Sequence, residues 1–172
     1  MRRFTVFSAC ALTLLALSAV AALGQSQIFT NDSVEYTLEL PSETWRATSR
    51  PDTIHQHTEF VFGDRNDGHL VIRKEIVDAG TNPSDLAHRD QDVKLRYLPG
   101  FVGGKEERFS GRLSGVTSSY EYTSGGKPMV GRIYYLQADN RTVYTLHFRG
   151  ARDKLLRIRN QTDSIARSFR LK

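Results

Sequence analysis

The residues best suited by type and spacing to do chemistry are His55-Gln56-His57-Thr58-Glu59. In an extended chain, side chains two positions apart point to the same face, so both imidazoles and the carboxylate would share one side. Two neutral imidazoles and a carboxylate are a ligand set for zinc or another divalent ion. His55, His57 and Glu59 are therefore a candidate metal site, and a metal-dependent or hydrolytic enzyme would use this face. The competing reading is a polar strand end beside Pro51-Asp52, with its histidines in solvent.

Other fragments of catalytic vocabulary do not hold together. Asp64-Arg65-Asn66-Asp67-Gly68 places oxygen ligands ahead of a glycine as a calcium turn does, but it lacks the further ligand and the distal Glu of an EF-hand loop. A hairpin turn needs only the residues present. His88-Arg89-Asp90 copies three letters of a kinase catalytic loop, yet it falls inside an expected helix with no phosphate-binding glycine loop before it. There is no G-x-S-x-G nucleophile elbow, and Gly111 to Gly115 has the wrong spacing for one.

Charge offers a different kind of site. Arg152, Lys154, Arg157 and Arg159 crowd the start of the C-terminal helical segment, where they would meet anionic lipid head groups or an acidic partner, or simply form a solvated face. The formal net charge is +5, falling to +3 without Arg2 and Arg3. Nucleic-acid binders concentrate basic residues far more heavily, so no nucleic-acid partner is expected. Tyr134 and Tyr135 are adjacent on an expected strand and must face opposite ways, and one of them would line a cleft fit for a lipid or small apolar ligand.

The elements that must position these residues are legible as alternating and helical runs. Ile28 to Leu40 reads as a strand broken by a turn at Asn31-Asp32, ending at Pro41, with Trp45 after it as a core plug in a polar connection. His55 to Phe62 and His69 to Val77 read as a hairpin joined by GDRNDG. Asn82-Pro83 starts a helix that runs to about Leu98, with Leu86, Val93 and Tyr97 as a narrow apolar stripe. Lys105 to Arg149 carries four strand-like runs punctuated by glycines and by Asp139-Asn140, a meander. After Gly150 a single closing helix presents Leu155, Ile158, Thr162, Ile165 and Phe169 to the sheet. This order gives an α+β domain with a mainly antiparallel sheet and helices packed on its faces.

Ahead of that domain stands MRRFTVFSACALTLLALSAVAALG: two arginines, an uncharged run and small residues at its end. That is the layout of a secretory signal peptide over 1–24, cut after Ala21 or after Gly24, with an uncleaved anchor as the alternative. Cys10 is the chain's only cysteine and lies too near the arginines to be a lipidation site. A single domain over 25–172, periplasmic or secreted, would then contain no thiol, in keeping with an oxidising compartment.

Three features of that domain occur together: YTLELPSETW, a strand entering Leu-Pro and then Trp; a hairpin followed by a surface helix; and YTLHFRG with IARSF, a strand and helix closing in Ser-Phe. In these the chain resembles the PsbP-like superfamily, which includes bacterial envelope proteins of the DcrB type, from about Tyr36 to Phe169. The resemblance implies an α/β/α sandwich and a non-enzymatic role. It points to an exported binding or assembly protein of the bacterial envelope with an unidentified protein partner and no catalytic residues to carry over.

Overall fold

The computed structural model describes residues 26–172. The expected leader, with its alternative cleavage points, lies outside the described residues. Val34, Tyr36, Leu38 and Leu40 alternate toward the core, and this period builds the first antiparallel pair, β1 (Gln27–Phe29) with β2 (Tyr36–Leu40). The break expected at Asn31 is a turn closed by Ser33 N–H on Asn31 Oδ1 at 2.9 Å. Trp45 does not sit in a polar connection: it opens a short strand, β3 (Trp45–Ala47), at the edge of the main sheet. Its role as a plug holds, because the ring is buried and donates its Nε1–H to Gln161 Oε1 at 3.0 Å.

The hairpin consists of β4 (Thr58–Phe62) and β5 (Asp64–Ile76). Only Gly63, at φ +68, makes the reversal, where a side chain would be strained. The register then slips from Phe62↔Asp64 to Val61↔His69, so the residues expected as a hairpin loop bulge out of the start of β5. The helix α1 (Pro83–Val93) follows, opened by a reciprocal capping box between Asn82 and Asp85 and extended by one 3₁₀ turn over Leu95–Tyr97.

The meander is β6 (Val102–Ser110), β7 (Ser114–Ser124), β8 (Lys127–Asp139) and β9 (Thr142–Ala151), with turns at the expected punctuation. The closing helix is not continuous. It divides into α2 (Arg152–Arg157) and α3 (Arg159–Ser168) at Ile158, and the chain ends in β10 (Arg170–Leu171), paired with β2. The apolar stripe spans the break: Leu155, Ile158, Thr162, Ile165 and Phe169 are all buried.

All pairings in the seven-stranded sheet, β3-β4-β5-β9-β8-β7-β6, are antiparallel. Because side chains alternate, Tyr134 and Tyr135 enter two different cores. One core packs β2, α2 and α3 on the first face, with Tyr36, Tyr134, Tyr144, Phe148 and Phe169 at its centre. The other packs α1, through Leu86, on the second face over Tyr120, Ile133, Tyr135 and Val143. The architecture is thus an α/β/α sandwich, and each fully buried Leu, Ile or Phe contributes roughly 1.5–3 kcal/mol to it.

Candidate functional site

The extended period assumed for His55 to Glu59 is broken at Gln56. This residue adopts the left-handed region at φ +54, with its amide buried between Glu35 N–H at 2.6 Å and Thr53 C=O at 2.7 Å. The chain therefore turns between the two histidines, and the expectation that His55, His57 and Glu59 share one face is corrected. His55 turns to Asp52, with Nδ1 at 2.6 Å from Oδ2. His57 Nε2 lies 3.4 Å from Glu59 Oε1.

Glu59 is held instead by residues further along the chain. Its Oε2 accepts from Arg65 Nη2 at 2.8 Å and pairs with His69 Nε2 at 2.9 Å. Burial pushes the Glu59 carboxyl up, but the His69 hydrogen bond and the charges of His69, Arg65 and His57 outweigh it and hold the pKa below its usual value. This is an ion-pair network anchoring the bulge to its strand. Among the described residues, no group of three or more His, Cys, Asp or Glu side chains is placed to hold a metal ion.

The basic start of the C-terminal segment is largely spoken for within the chain. Arg152 meets Glu121 at 3.2 Å, Lys154 meets Asp67 at 3.8 Å, and Arg157 meets Asp153 at 3.9 Å. These are exposed pairs of small energetic weight. Arg159 has no acidic partner among the described residues, and it lines an apolar feature of the first face.

That feature is a cleft of about 230 Å³ between the β6–β8 end of the sheet and α2–α3. Its walls are apolar: Val102 on β6, Val130 on β8, and Leu155 and Leu156 on α2. Gly103 and Gly104 keep the β6 wall low, and at Gly104 a Cβ would press on Ser119 C=O. Val102 and Leu156 are exposed large apolar residues, so the cleft has a greasy rim as well as a greasy floor.

Arg132 supplies the polar point of the cleft. β8 alternation places it between Val130 and Tyr134 on the first face, and its stem is mostly buried. It donates Nε–H to Tyr134 Oη at 2.7 Å, Nη1–H to Ser119 Oγ at 3.0 Å and Nη2–H to Asp163 Oδ1 at 3.2 Å. A guanidinium carries five N–H donors, so two of them have no acceptor among these partners. Tyr134 also donates to Asp163 and shares a contact with Thr162 Oγ1 at 3.2 Å. Burial, and then the bond to Asp163, push the Tyr134 hydroxyl up to about 12, so it remains a neutral donor. The arrangement is a cation fixed by three hydrogen bonds at the side of an apolar slot.

The expectation that Tyr134 or Tyr135 lines a cleft is corrected, since both rings are buried in the two cores and neither lines this one, and the sequence reading missed Arg132 and Leu156. A signal existed for the first. Arg132 interrupts the apolar face of MVGRIYYL in phase with Val130 and Tyr134, and a cation in a core-facing position needs either a partner or a function.

No family model matches the sequence, and no curated protein matches it significantly. Solved structures do match. LpqN of Mycobacterium tuberculosis, described as involved in cell envelope biogenesis, aligns with a TM-score of 0.58 at 17% identity, covering 86% of this chain and 91% of LpqN. Cyanobacterial PsbP from Synechocystis aligns at 0.58 and 14% identity, over 92% of this chain and 99% of that one. The Ran-binding protein Mog1p of Saccharomyces cerevisiae aligns at 0.59 and 10%, over 86% and 96%. The chain has the PsbP/Mog1-like α+β fold. At these identities the likeness establishes the fold and leaves function to the site.

Proposed function

We propose that this chain is a non-catalytic binding protein of the bacterial cell envelope. Its ligand is an amphipathic molecule with the apolar part in the β6–β8/α2–α3 cleft and an anionic or polar head at Arg132 and Arg159. The observation that carries this reading is the cleft itself. Val102, Val130, Leu155 and Leu156 offer an apolar slot, and two cations stand at it with donor capacity to spare. The leader-like N-terminal sequence supports an envelope location, and so does the likeness to LpqN. The rival enzymatic reading drew on the His55, His57 and Glu59 face, which the turn at Gln56 divides.

The test is solvent extraction and mass spectrometry of protein purified from a bacterial envelope, together with titration of a fluorescent fatty acid. A co-purifying amphiphile is expected, and Leu156→Glu should weaken probe binding at least tenfold. Leu156 is exposed, so the substitution leaves folding intact. Equal probe binding by the parent and Leu156→Glu, with no extractable amphiphile, would overturn the reading.

A further inference from the structure

The second face of the sheet, opposite the cleft, carries a separate recess of about 150 Å³ where α1 stops short of covering β5 and β9. The register pairs Val71 with His147, Arg73 with Thr145 and His69 with Arg149, so Arg73, Thr145, His147 and Arg149 emerge on this one face. We propose that the recess binds a phosphate-type oxyanion, gripped by the Arg73 and Arg149 guanidinium groups.

The argument is one of unmatched donors. Two acidic residues border the recess, and both are ion-paired with cations from α1 and the residue that follows it, although Asp90 Oδ1, like Arg149 Nε, is buried without a hydrogen-bond partner. Asp90 is paired with Lys94 at 2.7 Å, and Glu75 with Arg89 at 3.3 Å. Arg73 and Arg149 have no acidic partner among the described residues. The Arg149 Nε–H is moreover buried with no acceptor, an uncommon state for a donor on a charged group. A planar fork of donors matches an oxyanion bidentately, and two such forks around one recess define a site for a group with several equivalent oxygens.

His147 lies between the arginines and reports their field. Its Nε2 is 2.6 Å from the Tyr120 hydroxyl, and burial first, then Arg149, Arg73, His69 and Lys94, hold its pKa down at about 3. A neutral imidazole leaves the two guanidinium groups as the free charge of the recess. The shared chemistry is a phosphate, whether as a free ion or as a lipid head group. Because the recess is on the face away from the cleft, its failure and the failure of the cleft reading are independent.

The experiment is NMR of the purified protein, following the arginine Nε–H signals and the His147 ring during titration with inorganic phosphate and, separately, with phosphatidylglycerol or phosphatidylcholine vesicles. Saturable shifts with inorganic phosphate at Arg73, Arg149 and His147 are expected. Arg73→Gln and Arg149→Gln should weaken them at least tenfold, and Arg112→Gln, at the exposed turn between β6 and β7, should not. A response confined to phosphatidylglycerol vesicles, with the same variant pattern, supports the site with lipid as the source. Arg73 is exposed, so Arg73→Gln keeps the test valid even if Arg149→Gln misfolds. No saturable response to either probe, or a response unchanged in Arg73→Gln, overturns the proposal.

Discussion

At the scale of single residues, His147 gives the clearest expectation. Its folded pKa of about 3 lies well below the ordinary value near 6.5, so between those limits the unfolded chain takes up a proton that the folded chain refuses. The stabilisation from keeping the ring neutral is complete above about pH 6.5 and declines as the pH falls toward 3, by an amount on the order of a few kcal/mol. Glu59, whose pKa is lowered, acts in the same direction, since its contribution is present above its unfolded pKa and lost in acid. Urea midpoints measured from pH 7 to pH 4 should therefore fall, and His147→Gln, which keeps a hydrogen-bonding side chain but cannot titrate, should flatten the decline. Parallel declines in the two proteins would remove His147 as the cause. Trp45 acts through packing instead: Trp45→Ala should cost about 3–5 kcal/mol, read as a lowered urea midpoint, because it empties a buried site and leaves Gln161 Oε1 unpaired.

At the scale of elements, α1 depends on its cap. Asn82 accepts from Asp85 N–H at 3.0 Å and Asp85 returns a bond to Asn82 N–H at 3.0 Å, so Asn82→Ala should cost about 1 kcal/mol in thermal or chemical denaturation. Gly131 on β8 makes room for the Tyr120 ring, which a methyl group there would strike. Gly131→Ala should displace that ring, break its contact with His147 and cost about 1–3 kcal/mol; an unchanged melting temperature would refute this. The α1 start and the β6–β9 meander are legible in the sequence because Asn82-Pro83 and the glycine punctuation are local signals. The turn at Gln56 was not, since Gln has no preference for positive φ and is fixed there by Glu35 and Thr53. The break at Ile158 was hidden for a related reason: both α2 and α3 keep their apolar residues in phase across it. The site was legible only in part. Alternation put Tyr134 and Tyr135 on opposite faces, whereas His69 reaches Glu59 and Ser119 reaches Arg132 through strand register, and Asp163 reaches Arg132 through the packing of α3 on the sheet.

At the scale of the whole molecule, one sheet serves two cores, so neither can be lost without exposing a face of the other's strands. The chain has a single tryptophan, and it reports on the first core only. Loss of Trp45 fluorescence should coincide with loss of far-ultraviolet circular dichroism in one transition; an earlier fluorescence change would show that the layers part separately. The sheet is not equally firm throughout. β6 is its last strand, bonded along one side only, and its register against β7 is interrupted between Gly103 and Glu106, beside the cleft. One jaw of the slot is consequently held by fewer backbone hydrogen bonds, whereas the other is anchored in the core through Leu155. Amides of 102–105 should exchange with deuterium faster than those of 106–110, which would place the least firmly paired backbone of the sheet at the wall of the slot.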